Sequence, residues 1–392
     1  MISLENYKYT RINESMDYFG LDAIIASLPS NIYYFSEYRS IGQKILNPVQ
    51  VYFLYSKKNQ KKAIVAPLAE VPSIIEAVHD VEVYCYGDFY FAYNDKAIGY
   101  ENVKKITERN FKLPNEALIA AIRGIGIEKG KVGFDESRVK PQVWNEVCSK
   151  YNEIEFYPSA ALFANIRKIK HLDEISLLEH SAEIAEASIM EIIKNIDIGL
   201  SEDEIGKMYI NEVVKRKAQP HFNVITIDER SAYSDTVNTE KKIRDGSILR
   251  FDVGCIYEGY CSDMARTLVI GNYDNRYKEY YNYLLEGEEA AIDAIKPGVI
   301  SEEIFDIAVE TVRKGIPHYK RNHCGHGIGL EVYDPPSIAP RFLDEMQTGM
   351  VLSIETPYYE LGWGGIQVED TIVVEKNGCR YLTKSSRKLI EM

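Results

Sequence analysis

The 392-residue chain has little histidine and tryptophan, with seven and two residues, and no paired cysteines of the CxxC type among its six. It also lacks an uncharged apolar run near the roughly 20 residues that a membrane-spanning helix needs. The first twenty residues contain no apolar segment typical of a secretory signal. Scattered cysteines without a signal are typical of reduced thiols. We therefore expect a cytoplasmic protein without a membrane partner.

Basic residues are also fewer than acidic ones: the chain has 46 Lys and Arg residues and 59 Asp and Glu residues, which gives a net charge of −13. Nucleic acids and anionic lipids call for a basic face, so neither is expected as a partner. With 45% hydrophobic and 27% charged residues, the composition is that of a globular protein. The length favours two domains.

Helix and strand patterns divide the chain near residues 167–171. Before this point, a helical pattern at 9–19 and strand patterns at 21–27, 51–55, 63–66 and 154–158 predict an α/β domain over 1–166. After it, apolar residues spaced by three and four from Asp173 onward predict a long amphipathic helix. Ser201-x-x-Glu204 is a capping box that begins a further helix. The second domain is predicted over 167–392.

Two acidic hairpins are predicted in the second domain. Centring the first turn between Tyr257 and Glu258 places Asp252 opposite Asp263. Opposed residues of an antiparallel pair lie about 5 Å apart on one face. A turn around 362–365 places Glu355 opposite Glu369 in the same way. Buried carboxylates this close repel each other unless a proton or a cation lies between them.

His326, followed by Gly327 and Gly329, stands between the hairpins and supplies an imidazole ligand. Four carboxylates and one imidazole suit two divalent cations, with Mn²⁺, Fe²⁺, Co²⁺ or Zn²⁺ as candidates. Solvated acids on the hairpin surfaces are the alternative, which fits either pair alone better than it fits all five residues together.

The motifs FDVG, YEGYCSDMART, GHGIGLEV, SxExP and VEDT resemble those of the pita-bread metallopeptidases of family M24, which include Xaa-Pro dipeptidases (prolidases), aminopeptidase P and creatinase. The resemblance covers the whole chain. It implies a creatinase-like α/β N-terminal domain, a pita-bread α+β catalytic domain with a curved antiparallel sheet, and a homodimer.

The resemblance also implies roles for the five residues. Asp252 would chelate one metal, Asp263 and Glu369 would bridge both, and His326 and Glu355 would complete the second. A bridging water or hydroxide would be the nucleophile, with Glu355 as the proton acceptor. Two metal ions per subunit are expected, with Mn²⁺ placed first.

Three positions depart from the family pattern. Tyr333 stands where a second histidine is usual, Asp235 where an upstream histidine is usual, and Gln367 where an arginine is usual. Tyr333 remains a candidate oxyanion donor. Asp235 and Asp334 are expected to make the cavity rim negative, which leads to the hypothesis of a cationic substrate group. His221 and His323 are further candidate substrate residues.

Three functions follow. The first is an Xaa-Pro dipeptidase with a metal-bridging hydroxide. The second is a metal-dependent hydrolase or lyase of another small molecule on the same fold, prompted by Asp235 and Tyr333. The third is a non-catalytic binding protein, although members of that kind have lost metal ligands that this chain retains.

Overall fold

The structure is a computed structural model, and it describes residues 3–47, 49–94 and 99–392. They form two compact units that divide between Ile166 and Arg167. Within these ranges, no helix combines the length and the apolar composition needed to cross a bilayer.

The first unit contains eight helices, one short 3₁₀ helix and six strands among its described residues. In chain order these are α1 (Leu4–Phe19), β1 (Ala23–Ala26), α2 (Pro29–Ser36), α3 (Ile41–Ile45), β2 (Tyr52–Ser56), β3 (Lys61–Pro67), the 3₁₀ helix Leu68–Glu70, α4 (Val71–Ala77), β4 (Glu82–Tyr86), α5 (Glu101–Thr107), α6 (Pro114–Gly124), β5 (Gly130–Phe134), α7 (Pro141–Lys150), β6 (Ile154–Pro158) and α8 (Ala160–Lys168), which ends just beyond the division.

The strands of this unit form one mixed sheet in the order β4-β3-β2-β1-β5-β6. β1, β2 and β3 pair antiparallel, whereas β3–β4, β1–β5 and β5–β6 pair parallel. The central strand β1 is buried along its whole length, as expected for an apolar strand with a neighbour on each side. The predicted α/β alternation is confirmed, and each predicted strand matches a strand of the sheet.

The second unit contains four further helices, a second 3₁₀ helix and twelve strands. In chain order these are α9 (Leu172–Ile193), α10 (Glu202–Lys215), β7 (Gln219–Ile227), the 3₁₀ helix Asp228–Ala232, β8 (Ile248–Tyr257), β9 (Tyr260–Cys261), β10 (Met264–Val269), α11 (Asn275–Ala294), α12 (Ser301–Arg313), β11 (Gly325–Gly327), β12 (Asp334–Ser337), β13 (Val351–Glu355), β14 (Tyr358–Glu360), β15 (Gly364–Ile366), β16 (Glu369–Glu375), β17 (Gly378–Tyr381) and β18 (Ile390–Glu391).

One ten-stranded sheet dominates this unit, with the order β12-β11-β13-β16-β10-β8-β7 along its main path. The helix predicted from Asp173 onward is α9, whose apolar residues at the predicted spacing are buried. Those from Ala185 onward pack with β7 and β8 in a core that includes Ile225, Leu249 and Phe251. A second core, which includes Leu284, Ile304 and Leu352, joins α11 and α12 to the sheet. Helices thus fix the strands that carry the acidic residues.

The start of α10 anchors the segment that follows β7. Ser201 and Glu204 form the predicted capping box. Glu202, which follows Ser201, is 0% exposed. Its carboxylate accepts hydrogen bonds from Arg230 Nε at 3.0 Å and from the Thr239 amide at 2.9 Å. A buried carboxylate therefore holds both ends of the 230–239 segment, which includes Asp235.

Glu202→Gln should loosen this segment, because it removes the charge that Arg230 neutralises. We expect the free energy of unfolding to fall by about 2–3 kcal/mol. Amide hydrogen exchange over 230–239 should become faster. Glu212→Gln is the control on the same helix, where ion pairs of Glu212 with the partly exposed Lys215 and Arg216 contribute about 1 kcal/mol or less each. Equal exchange in the two variants would contradict this anchoring role.

Candidate metal centre

The acidic residues lie on adjacent strands of the ten-stranded sheet. β11, β13, β16, β10 and β8 are neighbours in that order. The five residues on or next to these strands are, in the same order, His326, Glu355, Glu369, Asp263 and Asp252. Side chains at matching positions of neighbouring strands share one face. The sheet therefore brings together all five residues predicted as metal ligands.

The register of the second hairpin is confirmed, since Glu355 lies directly opposite Glu369. The register predicted for the first hairpin is wrong, because Asp252 pairs with Ala265 and not with Asp263. The turn consists of Glu258 and Gly259, with φ of 45° and 95°. Two positive φ values are typical of a two-residue type I′ turn. This turn moves the centre of the hairpin by one residue.

Three of the five residues form a compact group of acceptors. One ligand atom each from Asp263, His326 and Glu369 lies within 4.8 Å of the others, and all three residues are buried. His326 Nδ1 lies 3.1 Å from the carbonyl oxygen of Gly327. A carbonyl only accepts, so Nδ1 carries the proton and Nε2, 3.5 Å from Asp263 Oδ2, presents a lone pair.

The other two carboxylates are held by arginines, of which Arg250 is buried and Arg321 is partly buried. Arg250 NH1 lies 2.9 Å from Asp252 Oδ2, and Arg321 NH2 lies 3.2 Å from Glu355 Oε1. Neither arginine was predicted as part of the site. Arg250 had a usable signal, because it stands two residues before Asp252 on the same strand and hence on the same face.

Comparisons with known proteins identify the fold to which this arrangement belongs. Residues 176–376 match the description "Metallopeptidase family M24", and residues 8–169 match "Creatinase/Prolidase N-terminal domain". An Xaa-Pro dipeptidase of Pyrococcus horikoshii is 30% identical over 99% of this chain and 100% of its own length.

The chain belongs to metallopeptidase family M24. Among solved structures, an Xaa-Pro dipeptidase of Bacillus anthracis has a TM-score of 0.82 at 26% identity and covers 98% of this chain and 99% of its own. The prolidase of Pyrococcus horikoshii has a TM-score of 0.80 at 28% identity, with 98% and 100% covered. The two-domain creatinase and pita-bread fold expected from the sequence is confirmed, and the protein is a metallohydrolase.

The charges at this M24 site fit divalent cations. Burial and the neighbouring carboxylates raise the pKa values of Asp263 and Glu369 well above their ordinary range. Burial also raises the pKa of Glu355, and that of Asp252 to about 6. Burial lowers the pKa of His326 to about 4, so its imidazole is neutral at pH 7. Repelling carboxylates beside a neutral imidazole are the donor set that a divalent cation prefers.

Gln367 lies among these carboxylates and is buried. Its Nε2 donates to Glu355 Oε2 at 3.2 Å and to Glu369 Oε2 at 3.3 Å. Its Oε1 accepts from Arg250 NH1 at 2.7 Å and from Tyr359 at 3.2 Å. The polar atoms of Gln367, predicted as a substrate residue, are thus engaged in orienting the ligands.

Tyr333 and His323, both predicted as substrate residues, contact His326 and Glu355, which are predicted as metal ligands. The Tyr333 ring stacks on His326 at a centroid distance of 3.8 Å, although 65% of the residue is exposed. Partial burial and the nearby carboxylates raise its pKa, so the phenol keeps its proton. His323 Nδ1 is 3.1 Å from Glu355 Oε1, and burial lowers the pKa of His323 to about 4.

The remaining candidates lie in different settings. Asp235 is exposed, and its charge helps to raise the pKa of Asp252, after burial and Glu355. Asp334 is only 3% exposed and lies 2.6 Å from the Arg167 guanidinium. The hypothesis that Asp334 makes the rim negative is therefore wrong, because an ion pair compensates its charge. His221 is exposed at a bulge of β7, and its ring contacts Phe222.

The raised pKa of Asp252 predicts a pH-dependent response to metal. Ionisation of a buried acid whose folded pKa is raised destabilises the metal-free protein as the pH rises from about 4 through 6. Mn²⁺ binds the ionised form. The increase in melting temperature caused by Mn²⁺ should therefore grow between pH 5 and pH 7.5. At 100 times the dissociation constant, Mn²⁺ should stabilise the fold by about 2.7 kcal/mol.

Glu369→Gln should abolish this Mn²⁺ response, because it removes a ligand. Glu375→Gln is the matched control at the other end of β16, where the side chain is exposed and paired with Arg380. A Mn²⁺ effect that is equal in both variants, or that shrinks as the pH rises, would contradict the assignment.

Proposed function

We propose that this M24 protein is an Xaa-Pro dipeptidase that uses two divalent metal ions held by Asp252, Asp263, His326, Glu355 and Glu369. The observation that carries the proposal is the buried group of Asp263, His326 and Glu369, whose ligand atoms lie within 4.8 Å of one another. The relatives named Xaa-Pro dipeptidase or prolidase support this substrate class. Residues 167–392 are proposed as the catalytic domain and 1–166 as a creatinase-like N-terminal domain.

Divalent cations, when bound, supply electrophilic polarisation of the scissile carbonyl and make an attacking water more acidic. Glu355 is positioned to accept the proton of that water, since burial raises the pKa of its carboxyl group. Arg321 and Gln367 contact one oxygen each of the Glu355 carboxylate. These contacts fix the orientation of the Glu355 carboxylate.

Tyr333 is the candidate donor to the oxyanion that develops on the carbonyl. It stacks on the ligand His326, and its raised pKa keeps the O–H available as a donor. Asp334, the next residue, is fixed by Arg167, which holds this part of the backbone beside the ligands. The phenol therefore takes the place at which the family pattern has an imidazole.

We propose Mn²⁺ as the working metal, because a site with four carboxylates and one imidazole is rich in oxygen donors. A cytoplasmic location agrees with the six free cysteines, since reduced thiols are usual in that compartment. The homodimer implied by the family resemblance remains a prediction.

A second candidate is a metal-dependent hydrolase or lyase of a different small molecule. Tyr333 and Asp235 favour it, because both replace histidines of the family pattern. Its substrate would lie against the exposed Asp235 carboxylate and the Tyr333 phenol.

The deciding experiment incubates the Mn²⁺-loaded protein with a panel of Xaa-Pro dipeptides, with the reversed Pro-Xaa dipeptides as controls. Our proposal predicts cleavage of the Xaa-Pro series and loss of cleavage on chelation. An Mn²⁺-loaded, folded protein that leaves every Xaa-Pro dipeptide intact would overturn the dipeptidase assignment and favour the second candidate.

Tyr333→Phe should lower kcat by about 10- to 100-fold with little change in KM, because a donor to the developing charge acts mainly in the transition state. Phe342→Tyr, at another exposed aromatic position of the same unit, is the control and should retain full activity. If Tyr333→Phe kept the kcat of the unmodified protein, the phenol would have no role as a donor.

A further inference from the structure

Arg250 is the most completely buried cation of the site, with 0% of the residue exposed. Its NH1 lies 2.9 Å from Asp252 Oδ2 and 2.7 Å from Gln367 Oε1. Its NH2 lies 2.6 Å from the carbonyl oxygen of Tyr233 and 3.2 Å from that of Ser234. One guanidinium thus joins a ligand carboxylate, an amide and the backbone next to Asp235.

Gln367 extends the influence of Arg250 to two further ligands. Because Oε1 of the amide accepts from Arg250, its Nε2 must face the opposite way. Nε2 faces Oε2 of Glu355 and Oε2 of Glu369. A single guanidinium therefore orients Asp252 directly and two more carboxylates through one amide.

We infer that Arg250 is a positioning residue of the metal centre, which orients Asp252 directly and Glu355 and Glu369 through Gln367. The family pattern has arginine at position 367, and this chain has glutamine there. In this chain the positive charge beside Asp252 and Gln367 comes from position 250 on β8.

The geometry of the group requires an arginine. A guanidinium is a planar fork with separate donors on its two terminal nitrogens, whereas an ammonium is a compact point charge on a flexible stem. Five acceptors lie around NH1 and NH2 of Arg250, the fifth being the Tyr359 hydroxyl at 3.4 Å. Lysine at this position would keep the charge and lose the simultaneous contacts.

Arg250 could instead act as a stand-in cation, meaning a positive charge that neutralises Asp252 in place of a metal ion. In that role it would hinder metal binding by repulsion. The two roles predict opposite results. A positioning residue raises metal affinity through the orientation of the ligands, so its removal weakens binding. A stand-in cation lowers metal affinity, so its removal strengthens binding.

The test measures Mn²⁺ affinity by calorimetric titration of the full chain, without substrate. Arg250→Met should weaken Mn²⁺ binding by about 10- to 100-fold, the usual effect of losing a residue that orients metal ligands. Arg250→Lys should also weaken it, because charge alone is insufficient. The double variant Arg250→Met/Gln367→Arg places a guanidinium at position 367 instead. It should recover about tenfold or more of the lost Mn²⁺ affinity.

Arg216→Met is the control, since Arg216 pairs with Glu212 on α10, and it should bind Mn²⁺ like the unmodified protein. Circular dichroism of each metal-free variant establishes that it is folded. If Arg250→Met does not fold, Arg250→Lys and Gln367→Met test the same contacts, and both should weaken Mn²⁺ binding. Unchanged or tighter Mn²⁺ binding by folded Arg250→Met or folded Arg250→Lys would overturn the inference.

This inference rests on the metal centre of the proposed function. Its readout is metal affinity in the absence of substrate, so it is independent of which substrate is cleaved. Failure to cleave Xaa-Pro dipeptides would remove the proposed substrate and leave the effect of Arg250 on Mn²⁺ binding intact.

Discussion

The crowding of three buried carboxylates and the partly buried Asp252 on adjacent strands of one antiparallel sheet is the constraint on which the rest of the site depends. Burial raises the pKa of each of them, and repulsion from neighbouring carboxylates raises those of Asp252, Asp263 and Glu369 further. Isolated buried charges are costly, and an acid without a partner takes up a proton instead. The sheet therefore holds a group of carboxylates that is unfavourable alone, which supports our proposal that divalent cations bind and stabilise it.

The surroundings prepare these ligands for a cation without neutralising all of them. Arg250 and Arg321 contact Asp252 and Glu355. Asp263 and Glu369 lie with His326, whose imidazole is neutral because burial lowers its pKa. The arginines thus fix Asp252 and Glu355, Gln367 donates to Glu369, and the group of Asp263, His326 and Glu369 is the core of the metal centre that we propose. Under our proposal, some of the carboxylates are held in a fixed orientation while the others remain able to bind cations.

Much of this could be predicted from sequence, because local rules decided it. The spacing of apolar residues predicted α9, and the turn length correctly placed Glu355 opposite Glu369. The first hairpin failed because its register depends on two positive φ values at Glu258 and Gly259, which the choice of turn centre did not anticipate.

Contacts between residues far apart in the sequence were the other limit on what could be predicted. Asp334 was expected at the rim, and the Arg167 that compensates its charge lies far away in the chain. The positions of Arg250 and Arg321 beside Asp252 and Glu355 likewise depend on how strands and loops pack around them.

The most direct measurement is anomalous X-ray diffraction from crystals grown with Mn²⁺. The account predicts two Mn²⁺ peaks in each chain among Asp252, Asp263, His326, Glu355 and Glu369. Ordered crystals without an Mn²⁺ peak at these residues would contradict it.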